Sequence, residues 1–310
     1  MSTDVTTPPV PAGPPPATDL RPAQPQESPG RRPSIGERLT QAAYLLILLA
    51  ATAMFVYPLV WLVSASLKPK SQVFDNRLIP RQVQWSNFVE VWNAGPVLRW
   101  LFNSTTVGLM AATAVTLSSA LVAFGFAYFR FRGKNVLFGL VLSTMMLPGA
   151  VTMVPVYLIW NKLGFVDTQI PLWAPNLFGT AFYIFLLRQF FLGIPRELFE
   201  AARVDGCGYL RMFWRIALPL CRPALIIVFV FELKASWSDL MKPLIYLQTP
   251  DYFTMPRGLK QIVDGYALSG EYHWEIAMAA TLLATLPMVL VFAFAQRYIL
   301  DGIATTAKQG

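Results

Sequence analysis

Residues 200–219 read EAARVDGCGYLRMFWRIALP, and the reading of this stretch decides the fold. It is polar and basic, yet apolar runs of membrane-spanning length stand on both sides of it. Of the 310 residues, 55% are hydrophobic and only 14% charged, against about 25% charged in a soluble globular chain. Mean hydropathy is +0.47. This is the composition of a polytopic membrane protein, with no length left for a separate soluble catalytic domain.

Six apolar segments approach the roughly 20 residues a helix needs to cross a bilayer core: 42–66, 104–129, 135–160, 171–191, 223–247 and 276–297. The fold class they predict is all-α with six transmembrane helices over residues 39–310. Lys and Arg orient them. With the N-terminus inside, fifteen fall on that side and eight on the other. Both termini and the 192–222 loop are therefore expected in the cytoplasm, with the 67–103 and 248–275 loops outside. The net charge of +8 then reads as a topology signal, and nucleic acid is not expected as a partner. Residues 1–38 form a separate Pro-rich tail, whose first 33 residues hold ten of the 25 prolines. The tail is expected to be disordered and lacks the pattern of a cleaved signal peptide, so the chain is expected to be retained whole. Cys207 and Cys221 have no second pair beside them and read as free thiols.

Within the cytoplasmic loop, Pro195 suits a first helical position, and Glu197 and Glu200 complement the positive end of a helix dipole. Gly206 and Gly208 should interrupt that short helix. A second helical pattern follows, with Leu210, Phe213, Trp214 and Ala217 on one face and Arg211 and Arg215 on another; Pro219 should end it. Amphipathicity alone would also suit a basic helix lying on anionic lipid.

The stretch carries more than amphipathicity. Glu200, Ala201, Ala202, Gly206, Ile216, Leu218 and Pro219 fill the pattern E-A-A, three residues, G, nine residues, I-x-L-P. This resembles the EAA motif of the permease subunits of binding-protein-dependent ABC importers. SLKP at 66–69, Asn103-Ser104, and Gln296-Arg297-Tyr298 with Gly302 are similar to the MalG-like branch of carbohydrate permeases, and the resemblance covers roughly residues 40 to 310. WSDLMKPL at 237–244 resembles a further family pattern, from which Ser238 and Leu240 depart.

The resemblance implies a MetI-like fold in a bacterial inner membrane and an importer of a sugar or sugar derivative working by alternating access. It implies a second homologous permease, two ATP-binding subunits and an extracytoplasmic substrate-binding protein as partners, besides membrane lipid. The 200–219 segment, Asp205 included, would be a coupling helix seated in a cleft of the ATPase, with Glu200 meeting a basic group there. The stretch after Arg297 would touch the ATPase pair. Tyr252, Phe253, Arg257 and Tyr272 of the outer loop would be available to the binding protein. No G-x-x-x-x-G-K-[ST] occurs, so ATP and Mg are expected on the partner subunits, with no cofactor or metal bound by this chain. Neither G-x-S-x-G nor H-E-x-x-H is present, and no enzyme activity is expected of it.

Ionisable residues inside a span usually face a bundle interior. Glu232, Ser236, Asp239 and Pro243 fall on one face of a continuous fifth helix, as a pathway for a hydroxyl-rich solute or as groups pairing between subunits or with Lys234 or Lys242. Asn176, Thr180 and Tyr183 share a face of the fourth span, as a weaker pathway or as glue between helices. Pro148-Gly149 and Pro155 can loosen the third span. Glycerol 3-phosphate or another polyol derivative is the alternative cargo; a stand-alone secondary transporter or an intramembrane enzyme would leave the EAA spacing unexplained.

Overall fold

The segment 97–128 repeats a small or polar residue every three to four positions, and that period lets one helix organise the molecule. The structure, a computed structural model, describes residues 35–268, 270 and 272–307, the last eleven as backbone alone. Contacts divide the chain into two units, residues 1–56 and 57–310. The first is represented by the N-terminal part of α1 (Ile35–Ser66), an apolar helix in which the Thr40 and Thr52 hydroxyls donate to carbonyls one turn back. The expected Pro-rich tail lies, up to residue 34, outside the described residues.

The second unit contains the end of α1, then α2 (Ser86–Asn93), α3 (Val97–Tyr128), α4 (Lys134–Ser143), α5 (Gly149–Lys162), α6 (Ile170–Trp173), α7 (Ala181–Leu192), α8 (Arg196–Val204), α9 (Tyr209–Met212), α10 (Leu218–Leu220), α11 (Arg222–Ser238), α12 (Met241–Tyr246), α13 (Met255–Leu268) and α14 (Trp274–Ala307). No strand occurs among the described residues. Four stretches are long and apolar enough to cross a membrane, Arg38–Ser66, Val97–Tyr128, Ile170–Leu192 and Trp274–Gln296. Two further pairs, α4 with α5 and α9–α10 with α11, are bent by more than 40°, and counting each pair as one span gives up to six.

Helix α3 packs most extensively, against α7 and α11. Its buried face includes Gly108, Ala111, Ala112, Ala120 and Ala123, small residues that let neighbouring backbones approach where lipid offers no hydrophobic drive to associate. It links two cores. At one end the Phe124 ring lies 5.3–6.0 Å from the rings of Tyr128, Phe191, Phe199 and Phe213. At the other, Trp100 is fully buried among Val91, Tyr246, Phe253, Met255 and Ile276. Its Nε1–H donates to the Pro250 carbonyl at 2.9 Å. Gly258 presses on this ring so closely that a Cβ there would stand 2.1 Å from it.

The helices depart from the expected boundaries for physical reasons. The second pass starts at Val97, seven residues before 104, because α3 extends about 48 Å and its first turns hold the Trp100 core. The third bends by 97°. Pro148 lacks an N–H and holds Leu147 extended at φ −76 and ψ 116, which a helix cannot follow. The fourth is broken into α6, a 3-10 turn at Ala174–Phe178, and α7. The fifth ends at Ser238, with Asp239 extended at ψ 119. In a continuous helix the Pro243 ring would clash with the carbonyl of residue 239, and the chain restarts as α12 instead.

The loop after α1 closes on Lys68. Its ammonium is fully buried and donates to the Asp75 carbonyl at 3.2 Å and to the Asp75 carboxylate at 2.5 Å. That contact holds the Asp75 carboxyl below its ordinary range. Asn87 donates to the Ser66 and Lys68 carbonyls, both at 2.9 Å. The SLKP residues are thus a turn built around a buried, satisfied cation.

Candidate functional site

The 200–219 segment folds as a short helix, a glycine corner and a second helical run. Pro195 sits one residue before α8, as its N-cap, rather than at its first position. Phe199 is the buried residue of α8 and enters the Phe124 core, 5.2 Å from the Tyr128 ring. Glu200, Ala201 and Asp205 are exposed, and Ala202 is half-buried. The helix closes in a Schellman turn: Gly206 N–H donates to the Arg203 carbonyl at 3.0 Å and Cys207 N–H to the Ala202 carbonyl at 2.8 Å. Gly206 supplies the required φ of +75, and its missing side chain faces open space. The glycine is therefore needed within this chain for its left-handed backbone.

The second run differs from its expected register. After α9 the chain winds as a π-helical turn over Phe213–Ala217. The wider turn puts Met212, Phe213, Ala217 and Leu218 into the core, while Leu210 and Trp214, expected beside Phe213, are exposed. Ile216 is half-buried. Pro219 does not end the run; the corner falls at Cys221, where α9–α10 and α11 meet at 81°. Cys221 N–H donates to Ala217 O at 3.1 Å and Leu225 N–H to Cys221 O at 3.0 Å, so hydrogen bonding runs through the corner and ties the segment to the next pass. Both cysteines are free thiols.

The polar residues of the passes regroup. Asn176, in the 3-10 turn, donates its Nδ2–H to the Glu232 carboxylate at 2.6 Å and to the Ala111 carbonyl at 3.3 Å. The Tyr183 hydroxyl reaches the same carboxylate. Thr180 joins through its backbone N–H, which donates to Ser119 Oγ at 3.2 Å. Asp239 leaves the face of Glu232 and Ser236, because α11 has ended; it accepts the Lys242 N–H at 3.2 Å and pairs with the Lys242 ammonium at 3.5 Å.

The loop over residues 248–275 contains a feature that the sequence pattern did not announce. Asn103 donates to the Asp251 and Phe253 carbonyls, both at 2.9 Å, and Ser104 Oγ accepts the Met255 N–H at 2.7 Å. Asp167, at φ +62, accepts the backbone N–H groups of Gln248 and Thr249, both at 2.9 Å, and the Thr249 hydroxyl. These bonds, that of the Thr249 hydroxyl first, hold the Asp167 carboxyl below its ordinary range. Segment 246–255 is thereby clamped from two sides. Phe253 is buried in the Trp100 core and is not available to a partner, a correction that follows from this clamp. Arg257 is half-buried with its guanidinium 4.1 Å over the Phe253 ring; Tyr252 and Tyr272 are exposed. Side chains beyond Gln296, expected to reach an ATPase pair, lie outside the described residues. No group of three or more His, Cys, Asp or Glu able to hold a metal occurs among the described residues.

Apolar passes around a small-residue helix, joined to an exposed helix–glycine–helix unit, define a helical membrane component. Residues 116–304 match the family model of the binding-protein-dependent transport system inner membrane component, and the chain belongs to that family. It is 29% identical over 273 residues to the arabinooligosaccharides transport system permease protein AraQ of Bacillus subtilis (strain 168), covering 86% of this chain and 95% of the relative. It is 34% identical over 276 residues to the sn-glycerol-3-phosphate transport system permease protein UgpE of Yersinia pestis bv. Antiqua (strain Antiqua), covering 85% and 95%. In fold it is similar to a chain of the crystal structure of a bacterial ABC transporter involved in the import of the acidic polysaccharide alginate. The TM-score is 0.73 at 21% identity, over 87% of this chain and 99% of that one.

Proposed function

We propose that this chain is one permease of an ABC importer for a sugar or sugar derivative, and that α8 with its glycine corner docks on an ATP-hydrolysing subunit. One observation carries the reading: α8 is held to the passes by Phe199 and closed by Gly206, while it offers Glu200, Ala201, Asp205 and an 87% exposed Val204 outward. A small anchored helix with an exposed apolar residue beside a carboxylate suits a protein cleft better than water. Ile216, Leu218 and Pro219 then pass its displacement through the Cys221 corner into α11, as a rigid-body movement. ATP and Mg belong to the partner subunits.

The cargo class rests on the two relatives, whose names describe polyhydroxylated solutes; the 34% identity to the glycerol-3-phosphate permease favours a polyol phosphate as the second reading. Glu232, Ser236, Asn176, Thr180 and Tyr183 remain the pathway candidates; Asp239 serves the start of α12 instead. Tyr252, Tyr272 and Arg257 are the candidates for a binding protein. A second permease is assigned to α5 and the bend before it, which have no buried residue and expose Met146, Val151 and Leu158. The charge distribution supports a cytoplasmic position for both termini and α8.

The test is purification from native membranes by a C-terminal tag, followed by uptake in vesicles. Wild type should retain an ATPase and a second permease and import labelled arabinooligosaccharide or glycerol 3-phosphate. Glu200→Lys and Gly206→Pro should lose the ATPase or its stimulated turnover. Import by the chain alone would refute the reading.

A further inference from the structure

We infer that the basic cleft at the 130–134 turn is a binding site for the phosphate headgroup of an anionic membrane lipid. This basic surface hollow, open to its surroundings, is lined by Arg130, Phe131, Gly133, Lys134, Asn135 and Val136. Arg188 of α7 and Arg196 of α8 add their fields to that of Arg130 at the Lys134 ammonium. Arg130 and Lys134 line the same hollow, and Arg188 of α7 stacks on Phe138, one turn along α4 from Lys134. Among the described residues, none of the four forms an ion pair with a carboxylate. Packing like charges without a counter-ion is unfavourable, and the arrangement is complete only with an anion present.

The contacts of the cluster select the source of that anion. The Lys134 ammonium donates one hydrogen bond, to the Phe129 carbonyl at 3.0 Å, and has two protons left for a phosphate oxygen. The Arg188 guanidinium lies 4.4 Å over the Phe138 ring, and its Nε–H is buried without a hydrogen-bond partner. Phe138 stands one turn beyond Lys134 on α4, about 6 Å deeper, and the intervening Val136 and Leu137 are exposed. The cationic surface therefore descends from the turn onto the apolar flank of a pass, the depth at which headgroup and acyl chain meet. An acidic protein surface or free phosphate would meet Arg130 at the rim; a lipid phosphate, with a chain along Leu137 on the face shared by Lys134 and Phe138, also meets Arg188. Because Arg196 opens α8, a bound headgroup would brace the base of that helix against the turn.

The experiment uses the full chain purified with the subunits it retains, in nanodiscs of phosphatidylcholine with or without phosphatidylglycerol. Lipid kept after detergent washing is counted by native mass spectrometry. Wild type should retain phosphatidylglycerol in preference to phosphatidylcholine. Each charge removed by Lys134→Gln or Arg188→Gln should weaken retention roughly fivefold, and the double variant about twenty-five-fold. Arg188→Lys and the distant control Lys162→Gln should retain it. Equal retention of both lipids, or an unaffected double variant, would overturn the site. Displacement by inorganic phosphate would assign it to a soluble anion, and loss of a protein subunit from the double variant with lipid retention unchanged would assign it to a protein partner; either overturns the lipid reading.

Discussion

Gly206→Ala isolates the backbone role of the glycine corner. The residue stands at φ +75 with nothing within 4 Å of an added Cβ, so the substitution meets no clash and its cost is conformational alone, about 1–2 kcal/mol for an L-residue held left-handed. The Schellman bonds from Gly206 and Cys207 to Arg203 and Ala202 require that conformation, and in the proposed docking the segment keeps it. An undocked segment escapes the strain by fraying its last turn. The penalty should therefore fall on the docking equilibrium, weakening it about 5–30-fold. Titration of the ATPase subunit against the reconstituted permease, read as stimulated ATP turnover, measures this directly. Gly206→Asn, a residue type that tolerates the left-handed region, should recover most of the loss. Gly208→Ala, at φ −71 and ψ 159, should cost little. If Gly206→Ala docks like wild type, or if Gly208→Ala is equally damaging, the corner is not held by a left-handed backbone and the reasoning fails.

Three further perturbations test the scaffold. Phe124→Ala removes the ring shared by Tyr128, Phe191, Phe199 and Phe213 and should destabilise the chain by about 3–5 kcal/mol, seen as a lowered Tm in detergent; Phe124→Leu should cost clearly less. Gly258→Ala places a methyl 2.1 Å from the Trp100 ring and should cost about 1–3 kcal/mol by overpacking, whereas Gly265→Ala, with open space beside it, should leave Tm unchanged. Asp167 has a carboxyl held below its ordinary value of 3.8 by the Thr249 hydroxyl and the Thr249 and Gln248 N–H groups. Its folded pKa lies below its unfolded one, so its contribution is present above that ordinary value and is lost as pH falls through the folded pKa. Thermal stability of wild type should drop more steeply below pH 3.8 than that of Asp167→Asn; parallel profiles would exclude the bracket as a source of acid lability.

The passes were legible because hydropathy sums over about 20 residues and is indifferent to where a helix bends within them. Of the bends, only the one at Pro148 was read from the sequence; Pro243 was placed on the face of a continuous fifth helix, whereas α11 ends before it at Ser238. Asn176 and Glu232 each stood out as polar groups inside apolar runs. Their union at 2.6 Å bridges 56 positions, and a single sequence contains no term for it. Asn103 and Ser104 were noticed as a pattern, but their work of clamping residues 251–255 depends on a segment 150 residues away. Asp167 was missed because Asp takes a positive φ only occasionally, so residue type marks such a position weakly, and its partners Gln248 and Thr249 stand 81 and 82 positions away.

The sequence by itself determined the membrane class, the interrupted apolar pattern, and the exposed helix–glycine–helix unit between the fourth and fifth passes, since composition, periodicity and the left-handed preference of glycine are local properties. Only the tertiary structure decided which residues of that unit face the core. A π turn at Phe213–Ala217 places Met212 and Ala217 against the Phe124 cluster and leaves Leu210 and Trp214 outside, because burial follows the space left by neighbouring helices. It alone decided that Phe253 is core and that Arg188 stacks on Phe138, because long-range packing sets which distant charges and rings become neighbours.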